Sequence, residues 1–132
     1  MINKLLCIDD DKLTLMFTKK FLSKGVFAKE VITLTNGKEA LEYYNNLIDS
    51  DLNNNSTAPQ LILLDLNMPV MDGWEFLDIF NTRIYPIYIQ TKIVILTSST
   101  NSLDKEKAKQ YPFIIGYILK PISTELFINM SK

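Results

Sequence analysis

The sequence contains no histidine. That removes Ser-His-Asp and Cys-His catalysis, histidine-based zinc sites and any role as a histidine phosphocarrier. Cysteine is nearly as scarce. The single Cys7 cannot form an intramolecular disulfide, which fits a reducing compartment. It lies inside the apolar run Leu5-Leu6-Cys7-Ile8, where a buried, inert thiol is expected rather than a nucleophile. Neither sign of charge dominates, since 14 Lys+Arg face 15 Asp+Glu for a net charge of -1. A general nucleic-acid binder needs a basic surface to displace counterions, so no direct nucleic-acid contact is expected. Long hydrophobic runs are also missing. The first stops at Asp9, and none approaches the roughly 18 residues that span a bilayer. A cytoplasmic protein without membrane insertion is the expectation. No repeat or linker divides the 132 residues, which predicts one domain over 1–132 with no room for a separate output module.

What is present is enough to fold. Residues of the AVILMFWYC set make up 47% of the chain, which argues against wholesale disorder. A domain of this size buries roughly two-thirds of its unfolded surface and needs no disulfide or metal staple.

Short apolar runs alternate with segments of helical period. Residues 5–8 read as a buried strand, followed at helical spacing by Leu13, Met16, Phe17, Lys20 and Phe21. Gly25 punctuates that helix. Val31-Ile32-Thr33-Leu34 is a second strand, and Asn36-Gly37 turns into a helix carrying Ala40, Leu41, Tyr44 and Ile48. Residues 61–64 form a third strand ending at Asp65; after Pro69 and Gly73 comes a helix with Trp74, Phe76, Leu77 and Phe80. Residues 93–96 are the fourth strand, ending at Thr97, and the charged stretch 104–110 the fourth helix. Residues 114–119 are the fifth strand and 122–130 a short last helix. The polar, Asn-rich stretch 51–59 lacks periodicity and reads as a loop. Five continuous apolar strands alternating with five helices predict an α/β fold, a parallel sheet covered on both faces.

In such a sheet, ligands bind beyond the carboxyl ends of the strands. Those ends carry Asp9-Asp10-Asp11, Asp65, Thr97-Ser98-Ser99 and Lys120-Pro121. Carboxylates gathered on one rim repel and call for a cation. All-oxygen ligands favour Mg²⁺, Mn²⁺ or Ca²⁺ over zinc. Lys120 suits a phosphoryl oxygen or a carboxylate, and Asp65 then suits a nucleophile toward phosphorus, assisted by Thr97 and Lys120. Taken singly, each piece has a plainer role: helix caps at residues 9–11 and 97–100, a turn at Asp65, a solvated charge at Lys120. Their order at successive strand ends favours the joint reading. The lysines at 105, 107 and 109 alternate with acids and read as a solvated helix face, and Trp74 and Phe76 as core.

The motifs Leu5-Leu6-Cys7-Ile8-Asp9-Asp10-Asp11, Leu63-Leu64-Asp65-Leu66-Asn67-Met68-Pro69-Val70-Met71-Asp72-Gly73, Ile95-Leu96-Thr97-Ser98 and Tyr117-Ile118-Leu119-Lys120-Pro121 closely resemble the receiver domain of bacterial two-component response regulators, over nearly the whole chain. The resemblance implies a flavodoxin-like, doubly wound sheet of order 2-1-3-4-5. It implies that Asp65 is the phosphoacceptor, charged by a histidine kinase or phosphotransfer protein. Asp10, Asp65 and the main-chain carbonyl of Asn67 would ligate Mg²⁺ (Mn²⁺ as a substitute), with Asp9 acting through metal-bound water. Thr97 would follow the phosphoryl group with Lys120 as its charge partner, and Tyr117 would be the aromatic switch. Asn67 and Ser99 lie where side chains tune dephosphorylation, and the Lys120–Pro121 bond would be cis. Output would pass through an unidentified protein target at the face of the fourth helix, fifth strand and last helix. Two features depart from the family pattern: the longer loop at 51–59 and the short final helix.

Two other functions share this fold or chemistry. A flavodoxin-like nucleotide-binding domain would want Gly, Ser and Thr after the first strand, where three acids stand instead. A Mg²⁺-dependent phosphatase with an Asp nucleophile, of the haloacid-dehalogenase kind, carries a second Asp two residues on, where this chain has Asn67.

Overall fold

The computed structural model describes residues 2–22, 27–51 and 58–120. Elements follow in the order β1 (Ile2–Ile8), α1 (Lys12–Leu22), β2 (Ala28–Leu34), α2 (Gly37–Asp51), β3 (Leu61–Leu64), α3 (Gly73–Ile79), β4 (Lys92–Thr97), α4 (Ser102–Ala108) and β5 (Ile114–Leu119). The strands form one parallel sheet of order β2-β1-β3-β4-β5, as expected. The expected last helix, Gly25, the loop at 52–57 and the Lys120–Pro121 bond lie outside the described residues.

Period-two alternation with a helix layer on each face explains the continuous apolar runs in the middle of the sheet. Leu6, Ile8, Ile62, Leu64, Ile93 and Ile95 face α2 and α3, joining Tyr44, Phe76, Phe80 and Phe113 in one core cluster. Leu5, Cys7, Leu61, Leu63, Val94 and Leu96 face the other way and pack with Leu15 and Leu22 of α1. Each fully buried Leu or Ile contributes about 1.5–3 kcal/mol of apolar transfer, and both faces are covered over β3, β4 and the Leu5–Ile8 part of β1, which therefore need no polar side.

The helices start where short polar side chains cap them. Asp11 accepts the Leu13 N–H at 3.0 Å, Asn36 the Glu39 N–H at 2.9 Å and Asn101 the Leu103 N–H at 3.0 Å. Asp72 and Glu75 form a reciprocal capping box at α3. The cap at Asn101 starts α4 at Ser102, ahead of the expected stretch 104–110.

In α1 the structure departs from the sequence reading. The face turned to the sheet is Leu15, Thr18 and Leu22, whereas Leu13, Met16 and Phe17 are 71%, 63% and 52% exposed. The stripe that looked like a core face points outward, and Phe17 stacks on Phe21, which stacks on Phe27. A second departure follows α3. Residues 80–84 form one π-helical stretch, in which the Tyr85 N–H reaches back five residues to the Phe80 carbonyl at 2.8 Å.

Phe76 is fully buried as expected, but Trp74 sits at the edge of the core. Its ring lies under the Lys107 ammonium, 4.4 Å from the centroid, and stacks on Tyr111, whose hydroxyl donates to Asp78 at 2.8 Å. Lys107 is therefore more than a solvated charge; it ties α4 to α3.

Candidate phosphoryl-accepting site

Parallel pairing brings the strand ends to one rim. The Asp9 N–H donates to Leu34 O at 3.0 Å, the Asp65 N–H to Ile8 O at 2.9 Å and the Lys120 N–H to Thr97 O at 2.8 Å. The ladder thus runs one residue past β1, β3 and β5 and fixes the backbones of Asp9, Asp65 and Lys120. Asp9 and Asp65 are buried, Asp10 is exposed, and one carboxylate oxygen from each lies within 4.8 Å of the others. Asp9 also accepts the Asp11 N–H at 2.9 Å, which orients it. Lys120 Nζ lies 2.5 Å from Asp9 Oδ2 and 3.6 Å from Asp65 Oδ2. Thr97 is fully buried at the end of β4. Tyr117 is half-buried on β5, its hydroxyl 3.5 Å from the Ser99 carbonyl. Asp9, Asp10, Asp65, Thr97 and Lys120 therefore stand at the carboxyl-end rim of the sheet, and Tyr117, two residues before the end of β5, reaches the loop after Thr97 through its hydroxyl.

The electrostatics mark Asp65 as the frustrated group. Burial and the neighbouring Asp9 raise its pKa from 3.8 to about 6, against the opposing pull of Lys120 and of the Asn67 and Leu66 backbone N–H groups. For Lys120 burial works against the charge, but Asp9 and Asp65 outweigh it and hold the pKa above the usual lysine value. Two acids to one ammonium leave a net negative pocket that an oxygen-seeking divalent cation fits. Cys7, buried beneath this rim, is pushed up to about 12 by burial and by Asp9, so the thiol stays protonated and takes no part.

The loop from β3 to α3 is built tightly around Asp65. The Gly73 N–H donates to Leu66 O at 3.0 Å, and a Cβ on Gly73 would meet the Asp65 carbonyl at 2.5 Å and Leu66 Cα at 2.9 Å. Both obstacles are backbone and cannot swing aside. Gly73→Ala is accordingly expected to destabilise the fold by about 1–3 kcal/mol, read as a lower urea midpoint at unchanged slope. An unchanged midpoint would show that the loop gives way freely. Val70 in the same loop has φ 70°, and the Met71 N–H bonds Pro69 O across it at 2.8 Å, a three-residue turn unusual for a β-branched side chain. This strained turn was not readable from the sequence, where Val70 is one more apolar residue.

The class these features define is an acid-rimmed, parallel α/β domain with a buried aspartate poised toward a cation and a lysine. Over residues 5–132 the chain matches the family described as the response regulator receiver domain, and it belongs to that family. PilG of Pseudomonas aeruginosa is 30% identical over 132 residues, covering 98% of this chain and 84% of PilG. A two-component response regulator from Cytophaga hutchinsonii has the same fold with a TM-score of 0.86 at 26% identity, over 98% of this chain and 93% of that one. The phosphorylated cyanobacterial phytochrome response regulator RcpA superposes with a TM-score of 0.76 at 26% identity, over 100% of this chain and 90% of its own. Receiver domains are signalling domains of two-component systems, and the nucleotide-binding and phosphatase readings are not favoured. Among the described residues, no helix is long and apolar enough to cross a membrane.

Proposed function

We propose that this chain is one receiver domain over 1–132 that takes a phosphoryl group onto Asp65 from a histidine kinase or phosphotransfer protein, in the cytoplasm. The observation that carries the reading is the buried Asp65 carboxylate at the end of a central strand, beside a second buried acid and with the Lys120 ammonium against both. The description of RcpA in its phosphorylated form supports it. Asp10, Asp65 and the Asn67 main-chain carbonyl would hold Mg²⁺, with Asp9 reached through water. Bound there, the ion supplies positive charge against the phosphoryl oxygens. Lys120 neutralises the same oxygens from the protein side, and Thr97 donates a hydrogen bond to one of them.

The domain then signals through Tyr117 and α4 to a protein target. A switch from 1:99 to 99:1 needs roughly 5.5 kcal/mol of differential stabilisation, within reach of several charge-assisted hydrogen bonds to one phosphoryl group. Beryllofluoride with Mg²⁺, a phosphoryl mimic, tests this. Amide chemical shifts are expected to change from Asp65 through Thr97 to Tyr117 and α4, with a shorter reach in Thr97→Ala. No change at Asp65 contradicts the site, and a change confined to Asp65 makes the domain a phosphate sink or relay.

A further inference from the structure

Ser99 has each of its polar groups engaged. Its N–H donates to Thr97 Oγ1 at 3.2 Å, and its carbonyl accepts from the Tyr117 hydroxyl at 3.5 Å. Its own hydroxyl donates to Asp104 Oδ2 at 2.8 Å and accepts the Asn101 N–H at 3.3 Å. Ser98, Thr100 and Asn101 around it are exposed, so packing does little to hold this loop, and hydrogen bonds must. The shortest of these four bonds ends on Asp104, in the first turn of α4.

A threonine hydroxyl has one proton to give and two lone pairs to fill. With the Ser99 N–H on one lone pair, the Thr97 proton cannot point at the Ser99 nitrogen and is left to give to another acceptor. That constraint lasts only while Ser99 stays in place. We propose that Asp104 is a positioning residue for phosphoryl transfer, acting through Ser99 to fix the Thr97 hydroxyl as a donor to the phosphoryl oxygens. The proposal rests on the reading of Asp65 as phosphoacceptor. With acetyl phosphate as donor, an Asp65 carboxylate oxygen bonds to phosphorus while the bond from phosphorus to the acetate oxygen breaks. Acetate leaves with the electron pair. Thr97 keeps its proton throughout and contributes only a hydrogen bond.

Asp104 also places a negative charge at a helix N-terminus, which would stabilise α4 with no bearing on Thr97. The two roles separate experimentally. Labelling of the full chain by acetyl phosphate with Mg²⁺ is followed by intact mass. Asp104→Ala is expected to label about fivefold more slowly, as when an orienting hydrogen bond of about 1 kcal/mol is lost from the transition state. Asp104→Asn, which keeps an acceptor but no charge, restores most of the rate. Ser99→Ala shows the same loss, the double variant no more than either single one, and Asp104→Ala adds nothing in a Thr97→Ala background. Additive losses, wild-type speed in Asp104→Ala, or an Asp104→Asn as slow as Asp104→Ala would each overturn the proposal. Should Asp104→Ala not fold, Ser99→Ala combined with Thr97→Ala gives the same additivity test. A wild-type chain that takes up no phosphoryl group overturns the underlying reading of Asp65, whereas labelling that ignores Asp104 overturns this inference alone.

Discussion

Asp65→Asn is expected to lose phosphoryl uptake and, at the same time, to gain stability. The loss is chemical: the amide is no nucleophile toward phosphorus, so labelling by acetyl phosphate with Mg²⁺ falls to background. The gain is electrostatic. Asp65 has a folded-state pKa raised from 3.8 to about 6, chiefly by burial and then by Asp9. An acid whose pKa rises on folding binds its proton more tightly in the native state, so its ionisation opposes folding. Below about pH 4 it is protonated in both states and costs nothing. The penalty grows through about pH 6 and is full above it. With divalent ions chelated, wild-type midpoints should therefore fall between about pH 4 and about pH 7, with a shallower fall in Asp65→Asn. Mg²⁺ should restore the wild type at neutral pH, by about 2.7 kcal/mol at 100 times its Kd if the unfolded chain binds none. Equal labelling in Asp65→Asn removes Asp65 as the acceptor; a wild-type midpoint indifferent to both pH and Mg²⁺ removes the picture of a strained carboxylate.

Lys120→Met should be the most damaging single substitution at the site. Lys120 is the cation lying against the two buried acids, at 2.5 Å from Asp9 and 3.6 Å from Asp65. Methionine keeps most of the aliphatic stem but leaves both carboxylates uncompensated. Breaking a buried pair from one side costs about 3–5 kcal/mol, a large part of a typical total of about 5–15. The lysine pKa is raised on folding, so this contribution is complete below the unfolded value of 10.5 and is lost only as pH rises through the folded one. At neutral pH the whole of it is at stake. Mg²⁺ should recover part of the stability, since it returns positive charge to the same carboxylates, but not the labelling rate, because the phosphoryl oxygens still lack their ammonium. A Lys120→Met chain that melts with the wild type in chelator would mean that the acids are solvated rather than buried.

How much of this was written in the sequence depended on the kind of signal. Strands β3 and β5 matched their apolar runs: β3 is buried on both faces and has no polar position to blur its ends, while β5, at the sheet edge with Ile115 and Leu119 exposed, is bounded by polar or turn residues at both ends. β1 and β2 begin earlier than their apolar cores suggest, at Ile2 and Ala28, since backbone pairing there extends into residues with polar side chains. The rim residues were legible because strand ends in a parallel sheet must converge; the strand order came from the family resemblance. What misled was α1. Leu13, Met16 and Phe17 have the spacing of a buried stripe, yet Leu15, Thr18 and Leu22 have it too, and only the docking of the helix on Leu5, Cys7 and Val31 decides between them. The π-helical stretch at 80–84 was beyond reach for a related reason: periodicity registers which face is apolar, not whether a backbone bond skips four residues or five.

The place of Trp74 has a practical side. It is the only tryptophan in the chain. Its indole touches a charge and a ring that both belong to the α4 end of the molecule, while its own backbone belongs to α3. Emission from this one residue therefore reads the gap between those two helices. The protein carries its own optical gauge, with no dye to attach, and a titration in a cuvette can follow α4 as ligands come and go at the Asp65 rim, one loop away from Trp74.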